Sequence, residues 1–144
     1  MTDAIGTATS SGIHFGPNLA GKFYLSLYYH RGSNRSALKN KWHPEIKPPL
    51  EYQIFCNTDR ENWYDSTGHG WGMRSRGDVI IGVQDERLCK FPYTSNESDP
   101  WHGFPVSPME NGDSDAPSDE FIDNWILSGA ISKTFGRRIQ RRKV

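Results

Sequence analysis

The feature that most constrains this chain is a stretch without a pattern. Thr94 to Ser118 runs 25 residues with neither the period of two of a strand nor the 3.6 of a helix. A structureless connection this long is uncommon in a compact domain and is usually functional or disordered. Its centre, "DPWHGFPVSP" from Asp99 to Pro108, holds Trp101, His102, Phe104 and three prolines. An aromatic side chain left in water forgoes about 1.5–3 kcal/mol of burial, and prolines lower the entropy lost on ordering. The segment is therefore expected to pack, with Trp101 and Phe104 held down and His102 partly accessible. Gly103 beside it would let a ligand or a backbone come close. The acidic half, Asn111 to Ser118, has no aromatics to anchor it and is expected to be mobile.

The rest of the chain sorts around this loop. Residues 1–20 are rich in Gly, Ser and Thr and read as an N-terminal arm. "KFYLSLYYH" alternates Phe23, Leu25, Leu27 and Tyr29 against Tyr24, Ser26 and Tyr28, the signature of a strand over residues 22–30. "SALKNKW" suits a short helical turn ended by His43-Pro44. In "PPLEYQIFCN" Leu50, Tyr52, Ile54 and Cys56 alternate, which predicts a second strand. "DVIIGVQ" (78–84) and "ERLCKFPY" (86–93) predict a third and a fourth. Short links favour antiparallel neighbours.

Helices close the chain. Ser118 can cap one, with Asp119 and Glu120 in the first turn where the helix dipole favours them. Phe121, Ile122, Trp125 and Ile126 share a face, and Gly129 ends it. Ser132 can cap a second helix carrying Phe135 and Ile139. The expected architecture is α+β, a single domain: a four-stranded, mainly antiparallel sheet over 21–93, the aromatic-proline loop over 94–118, and a helical pair over 119–144.

Composition bounds the function. Of 144 residues, 17 are Lys or Arg and 17 are Asp or Glu, so the net charge is zero and a coat of nucleic acid all round is disfavoured. No apolar run is long enough to span a membrane, and the N-terminus lacks the features of a secretory signal, so a cytoplasmic protein is expected. Cys56 and Cys89 have no metal-ligand spacing and read as buried thiols, with a disulfide as the minor alternative. No phosphate-binding loop motif occurs, and neither a cofactor nor a metal is implied. A set of His69, His102 and Asp99 or Asp65 lacks any diagnostic metal spacing.

Two features carry the functional expectation. The first is the pair of glycine-flanked histidines, His69 in "STGHGWG" and His102 in "DPWHGFP". The second is the tail "GRRIQRRKV", which places Arg137, Arg138, Arg141 and Arg142 on a short helix. The leading expectation is a non-enzymatic interaction module. It would use the 99–108 loop through Trp101 and Phe104, the 66–72 loop through Trp71, and the tail for an acidic protein or a nucleic acid. The alternative is a metal-independent ribonuclease, or another phosphodiester-cleaving enzyme, in which His69 and His102 act with Arg74. A third is a DNA-binding regulator acting through the C-terminal helices. Convergence of the two histidines with a cation would favour the enzyme.

Overall fold

The structure, a computed structural model, describes residues 5–32, 40–94, 96 and 98–144. It is α+β, with two three-stranded antiparallel sheets rather than one sheet of four. The first sheet is β1 (Thr7–Ala8), β2 (Gly12–Phe15) and β3 (Tyr24–Leu27), in that order. The arm expected at the N-terminus thus supplies two strands. His14 pairs with both Thr7 and Leu25 across the ladder. Residues 28–30, expected to continue the strand, turn off as one 3₁₀ turn.

The largest correction is the second predicted strand. Residues 48–60 form a helix, α1 (Pro48–Arg60). Proline in the first turn lacks only an N–H that no helix uses there, and its φ is already helical. The inward face is Glu51, Tyr52, Phe55 and Thr58, spaced as a helix requires. The helix ends in a left-handed Asn62, φ 56°.

The second sheet is β4 (Gly70–Met73), β5 (Leu88–Phe91) and β6 (Phe104–Val106). It is the middle layer. On β5, Cys89 and Phe91 enter one core cluster with Phe55 and Tyr24, while Leu88 enters another with Trp125 and Ile139. A Cβ added at Gly72 would lie 2.7 Å from Thr58 Oγ1, so the glycine lets α1 lie close on β4. Trp71 and Met73, two apart, face the other way into the second cluster.

The predicted strand at 78–84 is absent. That segment is a looped clip in which Ile81 is buried, His43 donates to its carbonyl, and its own N–H reaches Glu86. Only Gly82 bridges to Trp42. The helical turn expected at 36–42 falls largely outside the described residues.

The long loop is structured as well. After β6 come α2 (Pro108–Asn111) and a 3₁₀ turn at 112–115. The acidic half expected to be mobile is folded in, because buried Asp115 accepts from the Ser107 N–H and from Asn111. Helices α3 (Asp119–Leu127) and α4 (Lys133–Gln140) follow, capped by the Ser118 and Ser132 hydroxyls as expected, but α4 stops at Gln140, so Arg141 and the left-handed Arg142 lie beyond the helix that was expected to carry them. Trp125 and Ile122 are buried beneath them, with Phe121 and Ile126 half-buried. Among the described residues no helix is long and apolar enough to cross a membrane.

Candidate functional site

The aromatic-proline segment is a clasp between the two sheets. Trp101 pairs in parallel with β3: its N–H donates to Phe23 O at 2.8 Å, and its carbonyl accepts from Leu25 N at 2.7 Å. Three residues later the chain joins β5 as β6. Gly103 makes the crossing, since a Cβ there would lie 2.2 Å from the Phe91 ring, and its carbonyl accepts from Trp42 Nε1. The close approach that this glycine permits is thus to the protein's own core.

The Trp101 ring is half-buried against Phe55 at 5.7 Å, Tyr64 at 5.5 Å and Tyr93 at 6.4 Å. Lys22 Nζ sits 4.7 Å from the Tyr64 ring and 5.6 Å from that of Trp101. The same ammonium is paired with Asp59, which also accepts from Tyr64 Oη at 2.6 Å and Asn18 Nδ2 at 2.9 Å. Burial pushes the Asp59 carboxyl up, but these bonds together outweigh it and hold it below its ordinary value. Burial and the bond to Asp59 push the Tyr64 hydroxyl well above its ordinary range, so it stays protonated.

Asp59 is also the wall of a groove of about 680 Å³ between α1 and the 17–20 loop. Tyr52, Gln53 and Cys56 line it from the helix, and Pro17, Leu19 and Ala20 from the loop. The loop is braced internally. Asn18 Oδ1 accepts from the N–H groups of Ala20 and Lys22, and the Asn18 N–H donates to Lys22 O. Leu19 at its tip is fully exposed. Both cysteines are free; Cys89 is buried and Cys56 faces this groove. Burial raises the Cys56 thiol above its ordinary value, which keeps it in the less reactive protonated form.

The 66–72 loop reaches the same face through Tyr93. Gly68 packs over the Tyr93 ring, and His69 Nδ1 accepts from the Tyr93 N–H at 2.9 Å. Asp65 organises the loop by accepting from the N–H groups of Thr67 and His69 and from Trp71 Nε1. Trp71 itself is only 2% exposed.

His102 lies two residues along the chain from Phe104, on which His30 stacks, and its charge opposes that ring's protonation. His30 stacks on half-buried Phe104 at 4.9 Å and donates from Nδ1 to Asn40 O, so its Nε2 is the nitrogen that carries the lone pair. Burial above all, with His102 and Lys41 adding to it, pushes His30 down to about 4; burial also lowers His102. Arg74 is exposed at the end of β4.

The basic tail is partly spent within the chain. Arg137 holds Asp123 and Arg142 holds Asp113, each at 2.8 Å. Arg138 and Arg141 are exposed and have no carboxylate partner among the described residues.

Sequence reasoning read the aromatics of this region but missed the groove, Lys22, Asp59 and Tyr64. The one signal for them was "GPNLAGK", a turn-rich stretch set just before a strand. Among the described residues no group of three or more His, Cys, Asp or Glu converges as metal ligands would. Comparison with known protein families, with curated proteins and with solved structures finds no match.

Proposed function

We propose that the protein is an interaction module that takes an extended, apolar segment of a partner protein along one continuous face. The observation that carries this is a shared residue: Asp59 lines the 680 Å³ groove and also holds Lys22 and Tyr64, which pack against Trp101 and, through it, Tyr93. Ligand pockets typically fall between about 300 and 1,000 Å³ and join an apolar floor to a few fixed polar groups. The braced loop makes the face ready before binding, so little ordering entropy remains to oppose association. Lys22 is neutralised by Asp59, and Arg60 at the rim pairs with Glu61. Among the described residues the groove thus lacks the unpaired cations that a phosphate backbone needs. A peptide of low charge fits it better.

The test is selection from a random peptide display library, followed by titration of the enriched peptides. Wild-type protein should enrich apolar peptides, and Leu19→Asp or Gln53→Arg should weaken them at least tenfold without lowering the melting temperature. No enrichment over background, or equal binding by Leu19→Asp, would refute the reading.

His30 stacks on Phe104, two residues along the chain from His102, and this supports phosphodiester cleavage as a second reading. His30 Nε2 would take the proton of an RNA 2′-hydroxyl as that oxygen bonds to phosphorus. Protonated His102 would return a proton to the leaving 5′-oxygen. Cleavage of a uridine–adenosine dinucleotide at pH 5, lost in both His30→Ala and His102→Ala, is the expected result. No cleavage by the wild type removes this reading.

A further inference from the structure

A second cavity, of about 430 Å³, opens where the end of α1, the end of β4 and the α3–α4 corner meet, and it shares only Asn57 with the groove. Trp63 and Met73 give it an apolar wall, and Ser75 and Arg76 stand across from Ser128. Its backbone is unusual. Ser75, Arg76 and Gly77 are consecutive residues with φ of 51°, 60° and 84°. Side chains with a Cβ rarely adopt that region, and such conformations persist only where the surroundings over-determine them.

The surroundings here do so. A Cβ on Gly77 would lie 2.2 Å from the Phe135 ring, and Arg87 donates to the carbonyls of Gly77 and Asp78. The turn is clamped by Phe135 of α4 and by Arg87, just before β5, and Arg76 lines the cavity beside it. Among the described residues Arg76 has no carboxylate partner. Glu61, on the same wall, is paired with Arg60.

A second observation lies just behind the wall. Trp125 Nε1 is the buried side-chain nitrogen left without a hydrogen-bond partner among the described residues. Trp125 does not itself line the cavity but lies behind its wall, and a native structure rarely leaves such a donor unpaired without a reason. The Trp125 ring packs 5.5 Å from Trp63, and its carbonyl is held by Ala130 and Ser128, all three residues of the cavity wall.

We infer that this cavity binds a small molecule that joins a flat apolar ring to an anionic group, with the ring on Trp63 and Met73 and the anion on Arg76 and Ser75. The guanidinium offers a planar pair of donors that suits a carboxylate or phosphate. The Ser75 hydroxyl adds a neutral donor without further charge, while the single O–H of Ser128 is committed to the Trp125 carbonyl.

The test uses the intact protein and three probes: benzoate, benzyl alcohol and inorganic phosphate. Trp63 and Trp125 make tryptophan fluorescence a direct readout, and amide chemical shifts locate the site. Benzoate should saturate, with shifts at residues 73–77 and 128–130. Benzyl alcohol, which lacks the charge, and phosphate, which lacks the ring, should each bind at least tenfold more weakly. Arg76→Gln, at an exposed position, should lower benzoate affinity at least tenfold at unchanged melting temperature, while Arg74→Gln changes it less than threefold. Absence of saturation by benzoate, shifts confined to other faces, or full benzoate affinity in Arg76→Gln would each overturn the inference. None of these variants touches the peptide face, so this test and that of the proposed function fail or succeed separately.

Discussion

Removing Arg31 tests the electrostatic joint that fixes α1, and with it the groove, against β3. Arg31 Nη2 donates to Glu51 Oε1 at 2.7 Å and its Nε to Ser26 Oγ at 3.1 Å; Ser26 and Tyr24 also donate to the carboxylate. The Glu51 side chain is 1% exposed and that of Arg31 17%. Breaking a buried ion pair by removing one partner costs about 3–5 kcal/mol, because a charge is left behind in a poor solvent. Arg31 retains some contact with water, and two hydroxyl donors remain on Glu51, so Arg31→Ala should cost about 3 kcal/mol at pH 7. For a domain of this size that corresponds to a fall of about 10 °C in melting temperature. The pH dependence identifies the cause. Burial raises the Glu51 carboxyl above its unfolded value and Arg31 opposes the rise. A folded pKa above the unfolded one means that the native state holds the proton more tightly. The stability this gives is complete below the unfolded value and is lost as pH rises through the folded one. Without Arg31 the rise is larger, so the penalty should be clearly smaller at pH 5 than at pH 7. Urea denaturation followed by tryptophan fluorescence at both pH values measures it, and a cycle with Glu51→Gln isolates the pair. A loss under 1 kcal/mol at pH 7, or an equal loss at both, would refute the argument.

Three further outcomes follow from the same geometry. His30, held at about 4 chiefly by burial, stays neutral in the fold where an unfolded histidine, near 6.5, takes a proton. Stability should therefore fall as pH drops from 6.5 towards 4, and a His30→Gln variant should show a flatter profile of urea midpoint against pH; an unchanged slope counts against it. Trp125→Ala, at a site 2% exposed, should cost about 3–5 kcal/mol, and a loss within half a kcal/mol would mean that α3 is not docked as described. Arg138→Gln with Arg141→Gln should move the melting temperature by no more than a few degrees. If these arginines meet phosphates, the same change should flatten the salt dependence of nucleic-acid retention, and a wild type that no RNA or DNA retains at low salt removes that role.

The elements that could be read from the sequence are those whose signals are local. The α3–α4 pair announces itself through serine caps, a first turn of acids and apolar residues at helical spacing. Helix α1 did not, because its inward stripe includes Glu51 and Thr58, polar residues whose partners Arg31 and Trp71 are distant in sequence. With those two counted as outward, Leu50, Tyr52, Ile54 and Cys56 alternate and imitate a strand, and Phe55 is assigned to the wrong face. The 78–84 segment has strand composition, but its hydrogen bonds go to Glu86, Lys41 and His43, which no period encodes. Strand β6 is short and carries Pro105, so only its pairing with β5 defines it.

The candidate face divides along the same line. Trp101 was legible as an anchor because an aromatic ring between prolines must pack somewhere, whereas the groove needs Asn18 and Asp59, 41 positions apart, to meet. The clasp adds a consequence that no local signal carries. Trp101 is held by backbone bonds on both its N–H and its carbonyl, and its ring has aromatic neighbours on several sides. A ring so fixed cannot swing to meet a ligand, so binding at this face has to come to it. The adaptable side is the exposed one, where Leu19 and Tyr93 stand in water. Affinity should then depend on how well a partner covers Leu19 and Tyr93, while Trp101 governs register, a rigid edge against which the bound segment is placed.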